Sequence, residues 1–187
     1  VYSFYRAELF QILTQETKTA TLEDARGALD IIVRDLKNAG AWTNGIPPGE
    51  TGTVDDLETD SDSICNRVYA ATPTKIHVQM DLNGNGNCAD LDPRENIVYE
   101  LTGPTSTCSG SKIIRRNGDC LVANVTTHSA GKLFSYFDAS GADLGATPPF
   151  ATIKRIGIAF AVRAKNPDAR SSAHIASELS TSVKLRN

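Results

Sequence analysis

The sequence predicts an α+β domain in which one long N-terminal helix packs on antiparallel β-sheet. Two patterns support this fold class. Apolar residues recur at three- and four-residue steps over residues 1 to about 39, and at two-residue steps after residue 75. All the alternating segments follow the helix, and a run of strands after a single helix is typical of the α+β class.

The helix is predicted from residue 1 to about residue 39, because no proline interrupts it and Gly27 is its only interior glycine. Its apolar stripe, which we expect to face the sheet, consists of Leu22, Ala25, Leu29, Ile32, Val33 and Leu36. The charged residues expected on the other faces are Glu23, Asp24, Arg26, Asp30, Arg34, Asp35 and Lys37. Gly40 follows the last periodic residues and is the expected left-handed cap.

The first half of this helix is more polar along its Thr- and Gln-rich run, yet it carries many large apolar groups. These are Tyr2, Phe4, Tyr5, Leu9, Phe10, Ile12 and Leu13. They exceed what one small domain can cover, so we expect them to contact neighbours beyond the domain. The alternative is an ordinary core helix, although few globular domains open with a helix of this length.

Strands are predicted where apolar residues alternate, around residues 76–80, 97–101, 133–137, 156–162 and 179–185. A hairpin is predicted at residues 113–122, because two short apolar pairs flank Asn117 and Gly118, the preferred pair for a type I′ turn. Residues 44–63 are rich in Gly, Pro and acidic side chains, and we interpret them as a surface loop without an assigned function.

Length and charge limit the classes of function that this chain can have. A chain of 187 residues fits one domain, and a net charge of -3 with a pI near 5.6 gives no electrostatic footprint for nucleic acid. No enzyme motif is recognisable, including the G-x-S-x-G elbow. The histidines, His77, His128 and His174, lie far apart without metal-ligand spacing, and His77 is expected at the surface of a strand. The sequence therefore favours a binding or structural role over catalysis.

The four cysteines, Cys65, Cys88, Cys108 and Cys120, form no C-x-x-C pair, so a zinc knuckle or thioredoxin-like motif is excluded. An even number of scattered cysteines predicts two disulfides and an oxidising compartment. Three pairings are open, and we favour Cys65 with Cys88 and Cys108 with Cys120 because each closes a local loop. The alternative is four buried thiols.

One motif has the spacing of a metal loop. Residues 81–92 match the EF-hand pattern D-x-[DN]-x-[DN]-G, with Asp in place of the usual Glu at position twelve. The predicted Ca²⁺ ligands are Asp81, Asn83, Asn85, the carbonyl of Asn87, Asp90 and Asp92, with Glu95 as a further candidate carboxylate. Strands are predicted on both sides, so this would not be a true EF-hand. The alternative is an Asn- and Gly-rich turn that holds no ion.

Several segments resemble one family in order and spacing. The helix segments ARGALD (25–30) and DLKNAG (35–40) resemble the end of the helix in PilW-like minor pilins and in the J-type minor pseudopilin of type II secretion. Residues 133–138 (LFSYFD) with Gly141, followed by 153–156 (IKRI), resemble their central strands. The closing segment 179–187 (LSTSVKLRN) resembles their C-terminal strand.

This resemblance implies a pilin-like fold, with residues 1–40 as the C-terminal half of the pilin helix and 41–187 as the globular β-rich domain. The family's cleavage site and glutamate-containing apolar segment have no counterpart here, so we expect a membrane-inserting segment with a methylated N-terminus upstream of Val1. The family also implies insertion in the bacterial inner membrane, a periplasmic domain, and final assembly with other minor subunits in a surface pilus or a pseudopilus.

Pilus and type II secretion remain open on the sequence. The alternative function is a free secreted calcium-binding module for adhesion or wall binding, with a secreted hydrolase disfavoured by the missing catalytic set. The sequence upstream of Val1 would discriminate. A short basic leader and about 20 apolar residues with an early Glu would indicate a pilin, and a cleavable signal peptide would indicate the free module.

Overall fold

The computed structural model describes residues 2–41, 68–84, 92–127, 131–166 and 174–185. One helix comes first, α1 at Tyr2–Asn38, and a short 3₁₀ helix lies at Phe150–Thr152. The strands are β1 at Val68–Ala71, β2 at Lys75–Gln79, β3 at Asn96–Thr102, β4 at Ile113–Arg116, β5 at Asp119–Ala123, β6 at Val125–Thr126, β7 at Phe134–Phe137, β8 at Arg155–Lys165 and β9 at His174–Lys184. The described residues therefore form the α+β arrangement that the sequence predicts.

The strands form two antiparallel sheets. The first sheet is a meander in chain order, β1-β2-β3-β4-β5. In the second sheet β8 is central, with β6 and β7 along one edge and β9 along the other. The strands β1 and β6 are not predicted from the sequence, because β1 reads VYAA without polar alternation and β6 has only two residues.

A single apolar core joins the helix to both sheets. Helix α1 packs mainly on β9 and β8 and also reaches β5. The predicted stripe faces this core: Ala25, Leu29, Ile32 and Leu36 are buried, whereas Leu22 at its end is only half-buried. Among the described residues, no helix combines the length and the apolar character needed to cross a membrane.

The end of α1 is attached to the first sheet through its backbone. Gly40 has φ of 75°, the left-handed conformation predicted for it, and its N–H donates to the carbonyl of Gln79 at 3.0 Å. One residue later, the carbonyl of Ala41 accepts from the N–H of Asp81 at 2.8 Å. The helix terminus therefore lies beside the point where β2 ends and the candidate calcium loop begins.

The predicted hairpin between β4 and β5 is confirmed. Asn117 and Gly118 both have positive φ, 49° and 89°, as a type I′ turn requires. Cys108 and Cys120 connect this hairpin to the preceding loop at a Cα–Cα distance of 5.7 Å, within the normal range for a disulfide. Cys65 and Cys88 lie outside the described residues, so their pairing stays a prediction.

Candidate calcium site

The predicted calcium loop begins where β2 leaves the first sheet. Asp81 is buried, and its carboxylate Oδ1 accepts a hydrogen bond from the N–H of Gly84 at 2.7 Å. Gly84 has φ of 76°, a conformation that favours glycine. The structure therefore places Asp81 at the mouth of a tight turn, as the sequence predicts.

Glu95 supports the same turn from the other side. Its side chain is fully buried, and Oε1 accepts from the N–H groups of Leu82 and Asn83 at 2.7 Å and 2.6 Å. Its second oxygen, Oε2, accepts from the side-chain amide of Asn83 at 3.0 Å. Glu95 is thus a structural part of the turn, and with Asp81 it places two carboxylates around residues 82–84.

Asp92, the predicted closing ligand, has a different partner. Its carboxylate faces the Arg94 guanidinium in a bidentate pair, with Arg94 Nη2 at 2.7 Å from Oδ2 and Nε at 3.0 Å from Oδ1. The hydrogen bonds from the Arg94 side chain, and then from its backbone, lower the pKa of Asp92 to about 2. A cation bound by Asp92 would therefore compete electrostatically with the Arg94 guanidinium.

The remaining predicted ligands, Asn85, Asn87 and Asp90, lie outside the described residues and stay predictions. Among the residues that are described, no group of three or more His, Cys, Asp or Glu side chains is gathered as a metal site. The described donors, Asp81, Asn83 and Glu95, are oxygen ligands of the kind that Ca²⁺ prefers. The donor chemistry fits a hard cation, and Glu95 would coordinate it in addition to the three hydrogen bonds that its oxygens already accept.

The strand that leaves the loop is braced by the β4–β5 turn. The Asn117 side chain donates to the carbonyls of Pro93 and Asn96, at 2.9 Å and 3.0 Å, and accepts from the N–H of Val98 at 2.7 Å. The sequence identifies Asn117 as a turn residue but not as a brace, because its partners lie about twenty residues away along the chain. Both ends of the candidate loop are thereby fixed to the first sheet.

His77 differs from its predicted surface position. The strand β2 is buried on both faces at this point, because the Tyr69 ring covers His77 with ring centroids 4.9 Å apart. Its Nε2 is hydrogen-bonded to Asn96 Oδ1, and within the described structure its Nδ1 has no partner. Burial lowers the pKa of His77, which favours the neutral form of the ring.

The predicted position of Asp35 on an outer face of α1 is wrong: Asp35 is buried in a polar cluster that connects α1 to the first sheet. Asp35 Oδ2 accepts from the Tyr99 hydroxyl at 2.6 Å and from Arg116 Nε at 2.8 Å. Burial, and then the neighbouring Asp35 carboxylate, raise the pKa of Tyr99. Periodicity alone cannot find this cluster, because a buried charge is tolerated only when distant residues supply its partners.

Comparison of the chain with family models, with curated proteins and with solved structures found no match.

Proposed function

We propose that this chain is the exported domain of a type IV pilin-like minor subunit and that it acts by binding partner subunits rather than by turnover. The observation that carries this proposal is the division of α1. Its C-terminal half packs on the sheets, whereas no described side chain between Tyr5 and Ala20 is buried. The resemblance of the helix end and of the C-terminal strand to PilW-like and J-type subunits adds support.

The first half of α1 presents an apolar stripe with helical spacing. Tyr5, Leu9, Ile12 and Leu13 are 68%, 55%, 53% and 37% exposed. Residues four, seven and eight positions apart lie on one face of a helix, so these side chains form a continuous surface. Burial of such a surface stabilises an assembly by roughly 25 cal/mol per Å². We propose that the helices of other minor subunits cover it.

The assembly follows from this role. The protein would be held first in the bacterial inner membrane by a segment upstream of Val1, with its β-rich domain in the periplasm. It would then join other minor pilins or pseudopilins in a pilus or a type II secretion pseudopilus. Contacts would come from both α1 and the β-rich domain. The disulfide-distance pair Cys108–Cys120 is compatible with the oxidising periplasm.

The test is site-specific photo-crosslinking of the full-length protein in its own cells. A photoreactive residue at Leu9 or Ile12 should give adducts with other pilin-like subunits. The same residue at Gln15, which is exposed but lies off the stripe, is the matched control and should give far fewer. Adducts absent from all three positions would contradict the proposal. That outcome would favour the alternative function, a free secreted calcium-binding module for adhesion or wall binding.

We further propose that Ca²⁺ stabilises the domain through the loop at 81–92. Asp81, Asn83 and Glu95 would supply oxygens on the described side, with Asn85, Asn87, Asp90 and Asp92 completing the predicted set. The ion would fix a loop that has few apolar residues of its own. Extracellular sites of this kind bind at about 10⁻⁴–10⁻³ M.

Calorimetric titration with CaCl₂, with MgCl₂ as comparison, measures ion binding at this site. Melting curves with and without calcium measure the effect of binding on stability. At a free calcium concentration of one hundred times Kd, mass action should add about 2.7 kcal/mol to the free energy of unfolding. Asp81→Ala should abolish this gain, whereas Asp138→Ala, in a turn of the second sheet, should not. Arg94→Ala should tighten binding, because it removes the positive charge beside the Asp92 carboxylate. If chelation leaves the melting curve unchanged in both wild type and Asp81→Ala, the calcium proposal is wrong.

A further inference from the structure

A groove outside the candidate calcium site lies at one end of the second sheet. It has a volume of about 710 Å³, and its walls are the turn after β7 and the ends of β8 and β9. The lining residues are Asp138, Ala139, Ser140, Gly141, Lys154, Arg155 and Lys184. Three of the seven are cations, although the chain as a whole carries a net charge of -3.

Two of these cations lie directly opposite each other. Arg155 of β8 pairs in register with Lys184 of β9, and both side chains are exposed. Like charges in directly opposite positions destabilise a sheet. No ion pair to Arg155, Lys184 or Lys154 is found within the described part of the chain. This arrangement lowers stability, and an anion bound between the cations would relieve the repulsion.

The Arg155 guanidinium is held in a defined position. It lies over the Phe137 ring, with its Cζ 4.4 Å from the ring centroid. The ring itself lies close over Gly157, where a Cβ would approach Phe137 Cε2 to 3.2 Å. Across the groove, a Cβ at Gly141 would lie 3.7 Å from Arg155 Nη2. A pre-positioned guanidinium loses less conformational entropy when it binds a ligand.

The one carboxylate among the lining residues, Asp138, forms no recorded ion pair with these cations. Asp138 Oδ1 accepts from the N–H and hydroxyl of Ser140, at 2.8 Å and 2.7 Å, and from the N–H of Ala142 at 2.9 Å. These bonds, that from the Ser140 side chain first, lower the pKa of Asp138. Asp138 therefore maintains the turn as an ionised carboxylate, and the three cations with this one carboxylate leave the lining a net charge of +2.

We propose that this groove binds carboxylate side chains of an acidic segment in a partner protein. The planar guanidinium of Arg155 matches a carboxylate in bidentate geometry, and Lys154 and Lys184 add charge on either side. A protein segment is favoured over nucleic acid or a membrane, because three cations on an acidic chain are too few for a polyanionic surface. This inference does not rest on the pilin-like role or on calcium.

The experiment measures binding of a fluorescent octapeptide of alternating Glu and Gly to the full chain, by anisotropy at low salt. Arg155→Ala and Lys184→Ala should each weaken binding about tenfold, the factor expected for one charge-assisted hydrogen bond. Arg163→Ala removes another exposed cation of β8 and is the matched control, with an expected change under twofold. Arg155→Lys should fall between wild type and Arg155→Ala.

Three outcomes would overturn the proposal. These are no measurable peptide binding, equal losses in Arg155→Ala and Arg163→Ala, or tighter Arg155-dependent binding of inorganic phosphate or of anionic phospholipid vesicles than of the peptide. Melting curves of the variants provide the folding control. Lys184→Ala leaves the stacked Phe137–Arg155 pair in place, so it keeps the test informative if Arg155→Ala alters the fold.

Discussion

The two halves of α1 belong to one continuous helix but have opposite environments. Ile32 in the C-terminal half is fully buried, whereas Ile12 in the N-terminal half is 53% exposed. Both halves carry large apolar side chains at helical spacing, so the difference does not lie in the local sequence pattern. It lies in the neighbours, since the described residues of α1 that are buried all lie from Ala25 onward. An apolar helix face that stays exposed within the described part of the chain is where we expect a partner.

The largest expected difference between the halves is in stability. Ile32→Ala should lower the free energy of unfolding by about 2–5 kcal/mol, because it leaves a cavity among buried side chains. Ile12→Ala makes the same chemical change on the exposed half and should stay within about 0.5 kcal/mol of wild type. Chemical denaturation of the isolated domain measures both. Equal losses in the two variants would show that the halves do not differ as described.

The Asp35 cluster is a second difference between the halves, because it attaches only the C-terminal half of α1 to the first sheet. Asp35→Asn removes the charge that pairs with Arg116, and the expected loss is about 2 kcal/mol. This loss is smaller than the cost of breaking a fully buried ion pair, since the Arg116 side chain is 26% exposed and stays partly hydrated. The exposed Asp30→Asn is the control. Urea denaturation measures both variants. If Asp35→Asn and Asp30→Asn have the same free energy of unfolding, Asp35 does not help to attach the helix.

A substitution at the C-terminal end of α1 should have a smaller effect on stability. Gly40→Ala places a Cβ at φ of 75° and should destabilise the domain by about 1–2 kcal/mol. The strain acts where the chain turns back to the first sheet, at the Gly40–Gln79 hydrogen bond. Thermal denaturation measures the loss. An unchanged melting temperature would mean that the backbone at this position adapts without cost.

The smallest expected change in the free energy of unfolding is a gain rather than a loss. Gly27 is an exposed interior position of α1, and a Cβ added there would meet no atom within 4 Å. Gly27→Ala should therefore stabilise the domain by about 0.5–1 kcal/mol through the higher helix propensity of alanine. Paired with Gly40→Ala in the same denaturation series, it gives two glycine substitutions with opposite outcomes. A loss of stability in Gly27→Ala would reveal a packing role for that position.

The candidate calcium site is only partly accessible to sequence reasoning. The motif identifies Asp81 and the glycine-rich turn, because their spacing is local. It does not identify the buried Glu95 as the residue that caps this turn, since Glu95 lies outside the twelve-residue pattern. Nor does it identify the Arg94–Asp92 pair, because a charged pattern says nothing about which cation a carboxylate faces.

Local sequence patterns are enough to predict the α+β class, the length of α1, its buried stripe, the left-handed Gly40 and the type I′ turn at Asn117. These features follow from local periodicity and backbone preference, which act within a few residues. Three features become visible only in the folded chain: the division into two sheets, the burial of Asp35 and His77, and the row of Phe137, Arg155 and Lys184 across three strands. Each of these depends on residues far apart in the chain, and only packing brings their side chains together.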